Sequence, residues 1–220
     1  MPLLSNIPEE IWKCHIFPDL TGQMNLRHVC KFFAENIHTS YLHLNDKRIK
    51  SFPFNISRLL RLTRSVRYDG EDYILSIAEA LKDNTTLTEI ILYWCKIGDE
   101  AGVAIVEALK VNTTLTNLDL TETNIGDAAW KAIAEALKVN TTLIFLDLSW
   151  TKIGDDVGVA IAEALKVNCN LTYLDLSWTK IGDVIKMKIS ETLKVNKSLR
   201  ALDLTNTETG EVIAEALNVD

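Results

Sequence analysis

A leucine framework with a constant period constrains this chain more than any other feature of its sequence. Leucine recurs every 28 residues, and each copy opens the same phrase, as in Leu115-Thr-Asn-Leu118-Asp-Leu120. The copies of the first leucine are Leu87, Leu115, Leu143, Leu171 and Leu199. Self-similarity at such a period predicts stacked units of one strand and one helix, none of which buries its apolar face alone. We therefore expect binding to a stacked surface and not catalysis.

Each unit changes from strand spacing to helix spacing at a fixed point. The apolar residues of 143–148 follow a strand pattern, and those of 157–165 recur at helical spacing. The tripeptide Ile-Gly-Asp at 153–155 separates the two. Glycine permits the turn, and aspartate is a favoured helix N-cap. The asparagine that ends each helix, such as Asn112, is predicted to adopt the left-handed conformation.

The repeat L-x-x-L-x-L-x-x-[N/C/T]-x-[L/I] resembles the leucine-rich repeat, and its length and long helix resemble the ribonuclease-inhibitor type. The resemblance covers about residues 60–220. It implies an α/β fold, namely a leucine-rich-repeat solenoid shaped as a horseshoe of parallel strands with outer helices. The first unit is degenerate, because Arg64 stands where an apolar strand residue is expected, and it is predicted to be a cap. At the far end, the helical phrase of 213–217 arrives four residues early, which predicts a shortened last helix.

Strand residues between the framework leucines are expected to face the concave side, because side chains alternate along a strand. Aromatic residues and aspartates occupy these columns and form the predicted partner site. Its residues are Tyr93, Trp94, Asp119, Phe145, Asp147, Trp150, Tyr173, Asp175 and Trp178. Two alternatives remain open: the aromatic side chains stack on one another between repeats, and the aspartates form a solvated ladder that does not meet a basic partner.

One tryptophan lies outside these columns, on the convex, helical side. Trp130 stands where neighbouring repeats have Gly102 and Gly158. Tryptophan is rarely left bare, so we expect Trp130 to pack across to the next helix and not to form a second binding site.

The first 45 residues do not follow the repeat pattern, and their short apolar clusters predict two or three helices. They resemble an F-box, whose pattern runs L-P-x-E-I, I-F-x-x-L and L-R-x-V-C-K-x-F. The resemblance implies a small all-α domain that docks the Skp adaptor of a cullin-RING ubiquitin ligase. The residues that would form its adaptor-binding face are Pro8, Ile11, Ile16, Phe17, Leu20, Leu26, Val29, Cys30 and Phe33. The alternative is that these helices only cap the first repeat.

The predicted organisation has three parts: an F-box-like helical domain at 1–45, a basic linker and start of the first repeat at 46–64, and leucine-rich repeats at 65–220. The formal net charge of −7 disfavours nucleic acid and anionic membrane as ligands and favours a basic protein partner. The sequence shows no apolar run of bilayer length and no signal-like start, which predicts a cytoplasmic or nuclear location.

The sequence also bears on chemistry and covalent modification. It shows no nucleophile paired with a base, no metal-ligand cluster and no phosphate-binding loop, so we expect no enzymatic activity, cofactor or metal. The cysteines show no CxxC pair and are expected to be reduced thiols. Asparagine sequons at 55, 84, 112, 140 and 196 would need a secretory route to be glycosylated, and the sequence predicts none.

These observations and resemblances lead to one functional prediction with an alternative. The chain is predicted to be a substrate-receptor subunit of an SCF-type ubiquitin ligase, with its concave face binding the target protein. The alternative is a stand-alone inhibitor or scaffold that resembles ribonuclease-inhibitor modules and whose N-terminal helices are a cap. A GTPase-activating protein built on similar repeats is a third class, but no residue of the sequence supports it.

Overall fold

The computed structural model describes residues 41–45, 60, 64–207 and 213–215 of the 220-residue chain. The predicted adaptor-binding residues and most of the predicted linker lie outside these ranges. In the described part, the strands are β1 (Tyr41–Leu44), β2 (Ser65–Tyr68), β3 (Glu89–Ile91), β4 (Asn117–Asp119), β5 (Phe145–Asp147), β6 (Tyr173–Asp175), β7 (Ala201–Asp203) and β8 (Ile213–Glu215). The helices are α1 (Ile74–Lys82), α2 (Gly98–Val111), α3 (Asp127–Val139), α4 (Asp155–Leu165) and α5 (Asp183–Val195).

The strands form one sheet in which spatial order follows chain order from β1 to β8. From β1 to β7 every neighbouring pair is parallel, as expected for strands joined by crossover helices. The register pairs equivalent residues of successive repeats, for example Phe145 with Tyr173 and Asp147 with Asp175. This confirms the predicted α/β solenoid, and each sequence column becomes one row across the sheet.

The core lies between the sheet and the helical layer. Framework leucines such as Leu143, Leu146 and Leu148 are at most 1% exposed. Helix α2 packs so closely against the next repeat that a Cβ at Gly102 would lie 2.8 Å from Ile125 Cγ2 and 3.1 Å from Ala129 Cβ of α3. Trp130 on α3 is 1% exposed and belongs to this core, so it forms no second binding surface, as expected.

The Ile-Gly-Asp tripeptide works differently from the prediction. Glycine, not aspartate, is the residue before the helix in α3, α4 and α5, and none of these helices has a side-chain cap. The aspartate instead reaches the next repeat: Gly182 N donates a hydrogen bond to Asp155 Oδ1 at 2.6 Å. At Gly126 a Cβ would collide with the carboxylate of Asp99. At these two junctions glycine makes room for the preceding repeat's aspartate, whereas nothing lies within 4 Å of a Cβ at Gly154.

The asparagines that end the helices also depart from the prediction. Asn112 is extended, with φ −70° and ψ 134°, and is not left-handed. We call Asn84, Asn112, Asn140, Asn168 and Asn196, all of them buried, the asparagine row. Asn140 Oδ1 accepts hydrogen bonds from the backbone N–H groups of Thr142 and Leu143, and its Nδ2 donates to Leu109 O of the preceding repeat at 2.7 Å.

The asparagine row coincides with four of the sequons. Their side chains are at most 5% exposed. The side-chain amide nitrogens of Asn112, Asn140 and Asn196 also donate hydrogen bonds to backbone carbonyls, whereas Asn84 is held through its Oδ1 atom. A side-chain amide held in this way is not accessible for glycosylation in the folded protein. The sequon at 55 lies outside the described residues.

Both ends of the sheet differ from the prediction. Strand β1 lies inside the segment assigned to the helical domain, so the boundary predicted at residue 45 falls after the sheet has begun. Tyr41 pairs with Ser65, a spacing of 24 residues that the 28-residue period does not reveal. At the other end, Ile213–Glu215 is a strand antiparallel to β7 and not a helix. This pairing satisfies backbone groups that an open edge strand would leave unpaired.

Candidate partner-binding surface

The exposed face of the sheet carries the residues that flank each central leucine. In β4, β5 and β6 the middle residue is buried and its two neighbours are half-buried. Phe145 and Asp147 therefore lie on one face of β5, and Tyr173 and Asp175 lie beside them on β6. The structure thus brings together the columns that the sequence predicted, and their role in binding stays a prediction.

The aromatic residues form two stacked pairs between the repeats of β5 and β6. The ring centroids of Phe145 and Tyr173 are 4.5 Å apart, with 5° between their planes. Those of Trp150 and Trp178 are 4.1 Å apart, with 13° between planes. We call these the aromatic pairs. Stacking does not bury the tryptophans, which remain 50% and 46% exposed, so stacking between repeats and a free aromatic surface occur together.

Trp94 is separate from the aromatic pairs. Its side chain is 68% exposed, and its nearest ring is that of Tyr93, at 6.4 Å between centroids. Glu122 occupies the equivalent place in the repeat between Trp94 and Trp150. The single aromatic patch expected from the sequence is therefore two groups.

Arg67 on β2 is a residue of this face that the sequence analysis missed. Its guanidinium carbon lies 4.2 Å from the centroid of the Tyr93 ring, and the guanidinium donates a hydrogen bond to the Tyr93 hydroxyl. Arg67 lies in the degenerate first unit, so the sequence period did not assign it to the exposed face. The strand register does, because Arg67 pairs with Ile91 and Ile91 pairs with Asp119.

The turn after each strand has an unusual backbone that the sequence analysis also missed. The residue at position eight of the repeat, counted from the first framework leucine, has a positive φ. The values are 62° for Trp94, 54° for Glu122, 57° for Trp150, 55° for Trp178 and 53° for Asn206. A side chain with a Cβ in this region costs roughly 1–2 kcal/mol, and glycine or asparagine adopts it most readily. Asn206 is such a residue, and an asparagine at position eight was the sequence indication that this position has a positive φ. The tryptophans are therefore held in a strained conformation at an exposed turn.

The aspartates at position five hold that turn. We call Asp119, Asp147, Asp175 and Asp203 the aspartate row. The Oδ1 atom of each accepts a hydrogen bond from the backbone N–H two residues ahead, at 2.8–2.9 Å. Asp175 Oδ2 also accepts one from the Tyr173 hydroxyl at 3.3 Å. One oxygen of each carboxylate thus supports the backbone, and the row is more than a solvated ladder.

The row carries negative charge that the described residues compensate poorly. Burial raises the pKa of Asp119, and the charge of Asp147 adds to this, although hydrogen bonds from Thr121 act in the opposite direction. Burial likewise raises the pKa of Asp175, and its neighbours Asp147 and Asp203 raise it further. Burial and these carboxylates raise the pKa of Tyr173 to about 12.

Metal binding and membrane insertion have no structural counterpart among the described residues. Within the described ranges, no group of His, Cys, Asp and Glu side chains is arranged to hold a metal ion. No described helix has the length and apolar character needed to cross a bilayer. Cys169 is an exposed thiol, and the buried Cys95 Sγ donates a hydrogen bond to Tyr68 O at 3.0 Å.

Comparison with known proteins identifies the repeat. The family model described as "Leucine Rich repeat" matches residues 83–106, 111–134, 139–162 and 167–190. The family comparison gives no support for the F-box resemblance of residues 1–45. No curated protein sequence matches this chain significantly.

Two solved structures share the fold. The tropomodulin C-terminal domain from Caenorhabditis elegans is 14% identical, with 79% of this chain and 93% of that chain covered at a TM-score of 0.51. Leiomodin-1 actin-binding site 2 is 21% identical, with 80% and 91% covered at a TM-score of 0.51. The repeats of this chain are leucine-rich repeats, and together they form a leucine-rich-repeat solenoid.

Proposed function

We propose that this chain is a non-catalytic protein-binding module that recognises its partner on the concave face of the solenoid. One observation carries the proposal. Trp150 and Trp178 stack on each other yet remain half exposed, at a turn where their backbone is strained. Exposed aromatic side chains on a rigid scaffold are typical interface anchors, because they bury a large area with little loss of conformational entropy.

The helical face has a different character, which supports the choice of the concave face. Lysine and glutamate pair there along single helices, for example Lys138 Nζ with Glu135 Oε1 at 2.6 Å and Lys166 Nζ with Glu163 Oε1 at 2.7 Å. Exposed pairs of this kind satisfy each other's charge and contribute little to recognition. The aromatic pairs and the aspartate row have no comparable partners among the described residues.

The test is quantitative affinity capture with matched variants. Wild-type protein, Trp150→Ala with Trp178→Ala, and Val167→Ala would each be used as bait. Val167 is 61% exposed beyond the end of α4 and serves as the control for loss of exposed apolar area. We expect at least one protein to be retained by wild type and the control and lost with the double variant, and to bind directly once purified. Identical captured sets for all three baits would contradict the proposal.

We further propose that the module is the substrate receptor of an SCF-type ubiquitin ligase. The support is the F-box-like pattern of the N-terminal segment, which includes Pro8, Ile16 and Leu26 and lies outside the described residues. A cytoplasmic or nuclear location would follow. Size-exclusion chromatography with a purified Skp adaptor tests this, and we expect co-elution that Ile16→Asp abolishes. Failure of the wild type to co-elute would favour the alternative, a stand-alone inhibitor or scaffold whose N-terminal segment is a cap.

A further inference from the structure

We propose that the partner presents an extended segment whose arginine side chains lie over the aspartate row and against the aromatic pairs. The inference rests on the proposed function, and it adds the chemical class of the partner. Three features of the concave face support it: the uncompensated charge of the row, the position of the aromatic rings beside that charge, and an arginine that the chain itself places on this face.

The first feature is the charge. Among the described residues, no lysine, arginine or histidine forms an ion pair with Asp147, Asp175 or Asp203. Asp147 uses Oδ1 to hold Ser149, and in the described part of the chain no hydrogen bond reaches its Oδ2. Partly buried carboxylates without a counter-charge are unfavourable, and an arriving cation removes that cost.

The second feature is the arrangement of aromatic rings around this charge. Phe145 and Tyr173 precede Asp147 and Asp175 by two residues on the same strands. Two residues along a strand correspond to about 6.6 Å. The Trp150 and Trp178 pair follows the same aspartates at the turn. A planar guanidinium can stack on an aromatic face while it donates paired hydrogen bonds to a carboxylate, which an ammonium cannot do.

The third feature is Arg67, which shows this chemistry within the same row. Arg67 aligns through Ile91 with Asp119, so it occupies the position that aspartate takes in later repeats. Its guanidinium stacks over Tyr93. Burial raises the pKa of Asp119, and the charge of Arg67 acts against that rise. The exposed face thus carries an arginine of its own at β2, near its N-terminal end. Asp147, Asp175 and Asp203 farther along have aromatic or acidic neighbours and no such cation.

The spacing suits an extended segment that crosses the strands. Neighbouring parallel strands lie about 4.8 Å apart, so four aspartates in register span roughly 14 Å. Three arginines at alternate positions of an extended peptide also span roughly 14 Å. Lys152 and Lys180, both exposed, follow the tryptophans by two residues. Their positive charges would repel a cation of the partner beyond the turn, so the partner's cationic contacts are confined to the aspartate row.

Isothermal titration calorimetry of the full chain with defined peptides tests the inference. The probe is Ser-Arg-Ser-Arg-Ser-Arg-Ser with blocked termini, compared with otherwise identical peptides that carry Lys, Glu or Phe instead of Arg. We expect the Arg peptide to bind about tenfold more tightly than the Lys peptide and the Glu peptide not to bind. Asp147→Asn with Asp175→Asn should weaken Arg-peptide binding by at least about tenfold. The Asn side chain retains the oxygen that holds the turn, so the fold is expected to persist, which thermal unfolding would verify.

A charge-matched variant is the control for this loss of binding. Asp127→Asn with Asp156→Asn makes the same change of two charges at exposed sites at the starts of α3 and α4, and it should leave binding of the Arg peptide unchanged. Equal loss with this control, or no loss with the aspartate-row variant, would overturn the inference.

The remaining peptides distinguish a wrong partner class from a wrong binding face. If the Glu or Phe peptide binds in preference and Trp178→Ala abolishes that binding, the concave face is a binding surface and the cationic partner is wrong. If no peptide binds although affinity capture yields a tryptophan-dependent partner, the inference fails and the proposed function stands.

Discussion

The asparagine row and the aspartate row place similar side chains at regular repeat intervals, but they differ in how completely those side chains are hydrogen-bonded. In the middle of the asparagine row, Asn140 is buried, and both its amide oxygen and its amide nitrogen are bonded to the backbone. In the aspartate row, Asp147 is half-buried, and one of its oxygens receives no hydrogen bond from the described residues. From Asn112 to Asn196 the asparagine row has its amides bonded within the protein, whereas the aspartate row has capacity left for a partner.

The difference shows how a repeat protein separates stability from recognition. A neutral amide has both donors and an acceptor, so one asparagine can join its own turn to the preceding repeat. A carboxylate only accepts, so an aspartate can hold its own turn but cannot bond to a backbone carbonyl. We therefore expect substitutions in the asparagine row to change the free energy of unfolding strongly, whereas substitutions in the aspartate row should change it little.

The largest effect is expected for Asn140→Ala. The variant leaves Leu109 O and the N–H groups of Thr142 and Leu143 without their partner. Buried polar groups left unpaired cost about 1–3 kcal/mol each, so we expect a loss of about 3 kcal/mol in the free energy of unfolding, measured in urea.

The control is Asn84→Ala at the start of the row. Asn84 Nδ2 has no partner among the described residues, so this variant should lose about 1 kcal/mol less than Asn140→Ala. Equal losses at the two positions would show that the bond between repeats contributes nothing.

A smaller effect, of opposite sign, is expected at the strained turn. Trp94→Asn keeps φ near 62° but replaces a bulky side chain by one that tolerates this conformation, and Trp94 buries little area. We expect a gain of about 1 kcal/mol in stability. As a comparison, Met187→Asn removes an equally exposed side chain (70%) from helix α5 and should lose about 0.5 kcal/mol through helix propensity. A loss of stability in Trp94→Asn would show that the turn is not strained.

Asp175→Asn should also stabilise the protein, by about 0.5 kcal/mol at neutral pH. Burial raises the folded-state pKa of Asp175 above its unfolded value, so the charged form is disfavoured by folding at neutral pH. That cost disappears as the pH falls through the folded pKa, because the wild-type side chain then becomes neutral. The gain should therefore be present at neutral pH and absent in acid, and urea unfolding at both values measures it. A gain that persists in acid would contradict the charge explanation.

The smallest effect concerns Tyr173. Burial is the main cause of its pKa of about 12, and the charge and hydrogen bonding of Asp175 contribute to the rest. In the Asp175→Asn variant we expect the pKa of Tyr173 to fall part of the way towards its ordinary value of about 10. A spectrophotometric titration measures this, and an unchanged tyrosine titration would mean that Asp175 and Tyr173 are not coupled.

The period of the sequence was sufficient to predict the solenoid and the columns of its exposed face. It was not sufficient where a residue acts through a distant repeat. Local preferences suggested that Asn112 is left-handed, whereas its amide is used across 31 residues to reach Leu81 O. The positive φ of Trp150 was equally beyond such preferences, because tryptophan rarely adopts this conformation. Strand β1 was missed because its spacing departs from the period, although buried Leu42 and Leu44 alternate as strand residues do.

The hydrogen bond from the asparagine row to the preceding repeat has a consequence for how such a chain can change in length. Asn112, Asn140, Asn168 and Asn196 each donate from Nδ2 to the backbone carbonyl 31 residues earlier, so these junctions are joined in the same way. A duplication or deletion of a whole unit therefore creates a new junction that already has its matching partners. Insertions of any other length would break the junction. The extent of the concave surface is thus adjustable in discrete steps, and the repeat can be regarded as an interchangeable module for both evolution and engineering.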